Sequence, residues 1–215
     1  MINNKISVLL VDDHAVVRAG FKLLLATSSN IEVIAEAERG EQAIQLYQSY
    51  QPDVMVLDLS MPGIGGLETI RRLVQRDNKV NILVFSVHDE QVYVSRALNA
   101  GAKGYITKNS APDILAEAIQ SIQQGGTYIE QGLLSKVSDD LPEHDYQAII
   151  QTFSAREFDV FRLLSKGLTA HKIADELCLG YKTVANYVTT IKKKLQVSSI
   201  AELAHIAIVL GIMKH

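Results

Sequence analysis

Five short apolar runs, each followed by an amphipathic segment, fill the first 126 residues and leave few folds open. The runs are "KISVLLV" (Lys5 to Val11), "IEVIAEA" (Ile31 to Ala37), "DVMVLDL" (Asp53 to Leu59), "NILVFSV" (Asn81 to Val87) and "GYITK" (Gly104 to Lys108). Their length and composition predict strands. Segments such as "GEQAIQLYQSY", "GLETIRRLVQR" and "PDILAEAIQSIQQ" repeat apolar residues at helical spacing. Strand then helix, five times over, predicts the α/β class: a doubly wound, five-stranded parallel sheet covered on both faces, flavodoxin-like if the first crossover sets the third strand beside the first. Ligands of such sheets gather at the carboxyl ends of the strands.

The pattern changes after residue 124. Residues 125–149 hold Gly125, Gly126, Asp139, Asp140 and Pro142 with weak periodicity, which predicts a linker with room for a short helix. Residues 150–215 are helical throughout and predict a small all-α domain. Ser154 with Glu157, and Ser199 with Glu202, have the spacing of capping boxes, and Phe153 and Phe158 that of a hydrophobic staple. The division is therefore 1–124, 125–149 and 150–215. Charge follows it: residues 1–150 carry a net −7 and residues 151–215 a net +4, so the C-terminal part is expected to meet something anionic. The single cysteine, Cys178 in "IADELCL", is expected as a small buried apolar residue. No apolar run approaches the length of a membrane span and nothing at the N-terminus has the form of a signal peptide, so the expected location is the cytoplasm, away from membranes.

On the predicted sheet, Asp12 and Asp13 end the first strand and Asp58 lies near the end of the third. Three carboxylates at one edge repel unless a cation sits among them, and an open, all-oxygen set suits Mg²⁺. Ser86 ends the fourth strand and Lys108 the fifth, adding a hydroxyl and a positive charge to the same rim. Each alone is an ordinary turn or strand residue; five on consecutive strand ends describe a site for a phosphoryl group. "VDDH", "VLDLSMPGIGGLE", "VFSVH" and "GAKGYITK" resemble a two-component receiver domain over residues 5 to 124. The resemblance implies that Asp58 is the phospho-acceptor and that Asp12, Asp13, Asp58 and the carbonyl of Ser60 bind Mg²⁺. It also implies that Ser86 and Tyr105 are switch residues and that Lys108 binds phosphate. Asn109 follows Lys108, where many receivers have proline.

"LTAHKIADELCLGYKTVANYVTTIKKKL" predicts a helix from about Ala170 to Cys178, a turn at Leu179-Gly180 and a second helix from Tyr181 to Leu195, the helix-turn-helix pattern. At about 100° per residue, Val184, Val188, Ile191 and Leu195 share one face, opposite Lys182, Ala185, Asn186, Thr189 and Lys193. The second face suits a major groove. "FSAREFDVFRLLSKGLTAHKIADELCLGYKTVANYVTTIKKKL" is similar to the LuxR-type DNA-binding domain, although Tyr187 stands where histidine is common and Gln196 where glycine is. Lys182, Thr183, Ala185, Asn186, Thr189, Lys192 and Lys193 are the expected DNA contacts.

The two resemblances together imply a NarL/FixJ-type response regulator. "MPGIGGLE", "VNILVFSVH" and "AELAHIAIVLGI" also resemble the GacA/UvrY-like branch, more weakly than the chain resembles the family. The implied partners are a sensor histidine kinase, double-stranded DNA and, on phosphorylation, a second copy of the chain. Turnover of an external substrate is not expected: an aspartyl phosphatase of the haloacid dehalogenase type wants an acid two residues after its nucleophile, and Ser60 stands there. The remaining alternative is a DNA binder indifferent to phosphorylation or a receiver that only docks partners.

Overall fold

A computed structural model describes residues 5–110, 112–133 and 146–213. Residues 134–145 of the expected linker lie outside that range. The chain divides into two compact units, the first holding the sheet and the second wholly helical.

In the first unit, β1 (Ile6–Val11), β2 (Ile31–Ala37), β3 (Val54–Leu57), β4 (Ile82–Ser86) and β5 (Gly104–Thr107) alternate with α1 (Ala15–Ala26), α2 (Gly40–Tyr50), α3 (Gly65–Arg76), α4 (Gln91–Ala100) and α5 (Pro112–Gln123). The strands pair in parallel in the order β2-β1-β3-β4-β5, so β1, β3 and β4 are central. Every residue of β3, β4 and β5 is buried, as helices on both faces require, whereas edge strand β2 is half-exposed through its middle. Val8, Leu10, Val56, Phe85 and Ile106 pack with Leu25 of α1 and Leu115, Ile119 and Ile122 of α5. Phe21 of α1 meets Phe85 edge-on, with ring centroids 4.4 Å apart.

The expected five strands become six. Tyr128 and Ile129 form β6, parallel to β5, inside the stretch expected as linker. Its backbone satisfies the outer edge of β5: Tyr128 N–H donates to Lys103 O at 3.1 Å and Glu130 N–H to Tyr105 O at 3.0 Å. A two-residue strand beside a Gly-Gly pair has no periodicity to announce it.

The second unit contains α6 (Tyr146–Gln151), α7 (Ala155–Ser165), α8 (Ala170–Glu176), α9 (Tyr181–Leu195) and α10 (Ile200–Val209). Its core joins Phe158, Phe161 and Leu164 of α7 with Val184, Ile191 and Leu195 of α9 and Leu203, Ile206 and Ala207 of α10. The box at Ser154 is complete: Glu157 N–H donates to Ser154 Oγ at 3.1 Å and Ser154 N–H to Glu157 Oε2 at 2.7 Å. At α10 the box is shifted: Ser199 Oγ accepts from Glu202 N–H, but the Glu202 carboxylate takes the N–H of Ser198. Phe153 and Phe158 are both buried, and the Phe153 ring meets Phe161, with centroids 5.9 Å apart.

Cys178 departs from expectation, because it is exposed. The buried positions of α8 are Ile173, Ala174 and Leu177; the helix then closes as Cys178 turns left-handed at φ 53°. Cys178 N–H donates to Asp175 O and Leu179 N–H to Ala174 O, the paired bonds of a Schellman ending. That reversal carries the thiol out of the apolar stripe.

Candidate functional site

The carboxyl ends of β1, β3, β4 and β5 converge on one pocket. Asp12 follows β1 and Asp58 follows β3, and Asp58 N–H donates to Val11 O at 2.9 Å, which locks the two strand ends together. Both side chains are 3% exposed or nearly so. Lys108 Nζ reaches across from the end of β5 to Asp12 Oδ2 at 2.5 Å and Asp58 Oδ2 at 2.7 Å. Burial disfavours the ammonium charge, but the two carboxylates outweigh it and hold Lys108 above its usual range. The lysine thus supplies the positive charge that compensates both acids.

Asp13 is less buried and differently supported. Its Oδ1 is shielded from solvent and makes no hydrogen bond, although His14 Nδ1 lies 2.8 Å away. Asp12, Asp13 and His14 each place a ligand-competent atom within 4.8 Å of the others. An unsatisfied carboxylate oxygen beside a second carboxylate is what a hard cation would complete.

The β1–α1 turn is held from below. Arg18, 8% exposed on α1, donates to Asp12 O at 2.6 Å and to Glu38 Oε1 at 2.8 Å. On the other side, Gly66 of α3 sits against the end of β3 so closely that a Cβ there would lie 2.4 Å from Asp58 O. The glycine-rich "GIGG" is thus a turn, with Gly63 and Gly65 at positive φ, followed by a close approach at Gly66.

Ser60 N–H donates to Asp58 Oδ1 at 3.3 Å, and Ser60 Oγ meets His88 Nε2 at 3.0 Å. His88 lies beyond β4, where its own N–H donates to Ser86 Oγ at 3.3 Å and its carbonyl accepts from Tyr105 OH at 2.9 Å. Its ring stacks on Tyr93, with centroids 3.9 Å apart. Ser86 and Tyr105 are both fully buried. His88 therefore joins the loop after Asp58 to both expected switch residues, a contact that its place just after a strand does not signal. Arg18 was missed for the same reason: its partners are on other elements.

In the helical unit, Lys182, Thr183, Asn186, Thr189 and Lys193 of α9 are exposed, Ala185 and Lys192 are partly so, and Val184, Ile191 and Leu195 face the core. Thr189 Oγ1 donates back to Ala185 O at 3.0 Å, leaving its methyl and lone pairs outward. The three lysines separate. Lys192 Nζ is held by Ser198 O at 2.7 Å, and Lys194 Nζ by Glu157 at 2.8 Å while lying 5.3 Å from the Phe153 ring centre. Lys193 points outward. No described helix is long and apolar enough to cross a membrane.

Comparison with known proteins agrees with both halves. Residues 8–120 match the response regulator receiver domain and residues 151–207 the bacterial regulatory proteins of the luxR family. The transcriptional activator protein ExaE of Pseudomonas putida is 42% identical over 211 residues, covering 96% of this chain and 98% of that protein. The response regulator UvrY of Escherichia coli K12 is 36% identical over 208 residues, 94% of each. A solved structure of two RcsB dimers bound to two parallel DNAs is 25% identical, covers 94% of this chain and 98% of that one, and superposes with a TM-score of 0.60. The chain belongs to the LuxR-type two-component response regulators, a receiver domain joined to a helix-turn-helix DNA-binding domain.

Proposed function

We propose that this regulator accepts a phosphoryl group on Asp58 from a sensor histidine kinase and, so modified, pairs with a second copy to bind its DNA. The observation that carries the reading is the buried Lys108 ammonium shared by Asp12 and Asp58. A carboxylate held against a lysine can attack phosphorus while the lysine turns to the phosphoryl oxygens. Asp12, Asp13, Asp58 and the Ser60 carbonyl would hold Mg²⁺, which when bound supplies further positive charge to those oxygens. The new phosphoryl oxygens then draw on the Ser86 hydroxyl, and Tyr105, now donating to His88 O, follows that shift. Asp58 returns to its free state by hydrolysis, with no external substrate turned over.

On this reading residues 1–124 are the body of the receiver, 125–149 the linker, whose first part adds β6 to the receiver sheet, and 150–215 the DNA-binding domain, working in the cytoplasm. Lys182, Lys192 and Lys193 hold phosphates. Thr183, Ala185, Asn186 and Thr189 face the groove, with Asn186 suited to adenine. Asp58→Ala is expected to abolish Mg²⁺-dependent labelling by acetyl phosphate. Undiminished labelling of that variant would overturn the acceptor assignment.

A further inference from the structure

Beyond the pocket, one more carboxylate touches the loop that carries Lys108, and it comes from outside the strand-and-helix pattern of the receiver. Glu130 lies directly after β6. Its Oε2 accepts from Thr107 N–H at 2.8 Å and from Ser110 Oγ at 2.7 Å. The Thr107 and Ser110 hydroxyls are themselves 3.0 Å apart, and Ser110 N–H donates to Thr107 O at 3.1 Å. The loop from 107 to 110 is thus gripped on one side by Glu130, while Lys108 between them reaches the other way to Asp12 and Asp58. Glu130 N–H also donates to the carbonyl of Tyr105, so the same three-residue edge touches the strand that bears the switch aromatic.

We propose that Glu130 is a positioning residue for phosphoryl acceptance, holding the Lys108 loop and tying the state of the pocket to the segment that leads toward the DNA-binding domain. Two short charge-assisted bonds fix where Lys108 starts from. When Lys108 leaves the carboxylates for phosphoryl oxygens, the loop moves with it, and Glu130 with β6 either follows or lets go. Either response changes the protection of β6.

The inference rests on Asp58 as acceptor, and the experiment separates the two. In the full chain, Mg²⁺-dependent labelling by acetyl phosphate is followed for wild type, Glu130→Ala and Glu130→Gln, with hydrogen exchange of a peptide spanning Gly126 to Leu133 before and after labelling. A glutamine oxygen accepts the same two donors, so Glu130→Gln is expected to label near the wild-type rate. Glu130→Ala is expected to label about tenfold more slowly, the usual scale for losing a group that orients a reacting one. Wild-type β6 is expected to change its exchange on labelling, while in Glu130→Ala exchange is fast throughout. Wild-type labelling of Glu130→Ala, equal slowing in Glu130→Gln, or β6 exchange indifferent to labelling in wild type overturns the proposal alone. A wild type that takes no label overturns the acceptor reading with it.

Discussion

At the residue scale, the Asp12–Asp58 cluster is an electrostatic balance held by Lys108. Asp12 and Asp58 are both buried, and Lys108 is the cation they share. Removing one partner of such a group leaves uncompensated buried charge, at a cost of about 3–5 kcal/mol when fully buried. Lys108→Ala is therefore expected to unfold at lower temperature than the wild type in EDTA. Because the carboxylates then lack any cation, Mg²⁺ should raise the melting temperature of the variant by more than it raises that of the wild type. An equal Mg²⁺-induced rise in both proteins would mean that lysine and metal do not share the same acids. His88 and Ser60 belong to the same scale: their 3.0 Å contact links the loop after Asp58 to the carbonyl that Tyr105 uses. Neither residue type nor spacing reveals such a bond, since it joins two loops 28 residues apart.

At the element scale, α9 ends on a left-handed residue that is not glycine. Gln196 closes it at φ 56°, with Gln196 N–H donating to Lys193 O and Val197 N–H to Lys192 O. A left-handed residue with a Cβ costs about 1–2 kcal/mol, part of which glycine returns through its more flexible unfolded chain. Gln196→Gly should therefore raise the stability of the helical unit by about 0.5–1 kcal/mol, read as a higher denaturation midpoint at constant m-value. The start of α7 gives a prediction in pH. Burial of Glu157 opposes its charge, but Lys194 and the Ser154 N–H outweigh it and hold the carboxyl below its usual range. A lowered folded-state value means this stabilisation is present above the ordinary glutamate range and is lost as pH falls through the folded value. Glu157→Gln is expected to be less stable at pH 7 and to lose less on acidification from pH 5 to 3 than the wild type does; parallel pH curves would exclude Glu157 as a source of acid sensitivity. These elements also show what was legible. Strands buried on both faces announce themselves as apolar runs, and capping boxes as fixed spacings. β6 escaped because two residues have no period, and Cys178 because helical spacing carries no mark of where the backbone reverses.

At the scale of the molecule, the net charge of −3 and a pI near 6.1 are poor guides to a DNA-binding protein, because the net +4 of residues 151–215 is masked by the net −7 of residues 1–150. The sequence showed that asymmetry but not how its lysines divide. Lys194 is engaged with Glu157, whereas Lys182 and Lys193 are exposed on α9 and Lys192, with one of its three donors on Ser198 O, keeps the others for a phosphate. Lysines that hold phosphates displace counterions and give salt dependence; a side chain at a base edge gives discrimination. Binding to a selected duplex and to a scrambled one, measured by fluorescence anisotropy across a salt series, separates these roles. Lys182→Ala should weaken both duplexes alike and lower the log–log salt slope by about 1. Asn186→Ala should leave the slope in place and cut the preference for the selected duplex by about 1–3 kcal/mol. Lys194→Ala should lower thermal stability, since Glu157 loses its partner, with the salt slope unchanged. A slope that falls as much for Lys194→Ala as for Lys182→Ala would place Lys194 on the DNA and not in the fold, and would reverse the division drawn from its bond to Glu157.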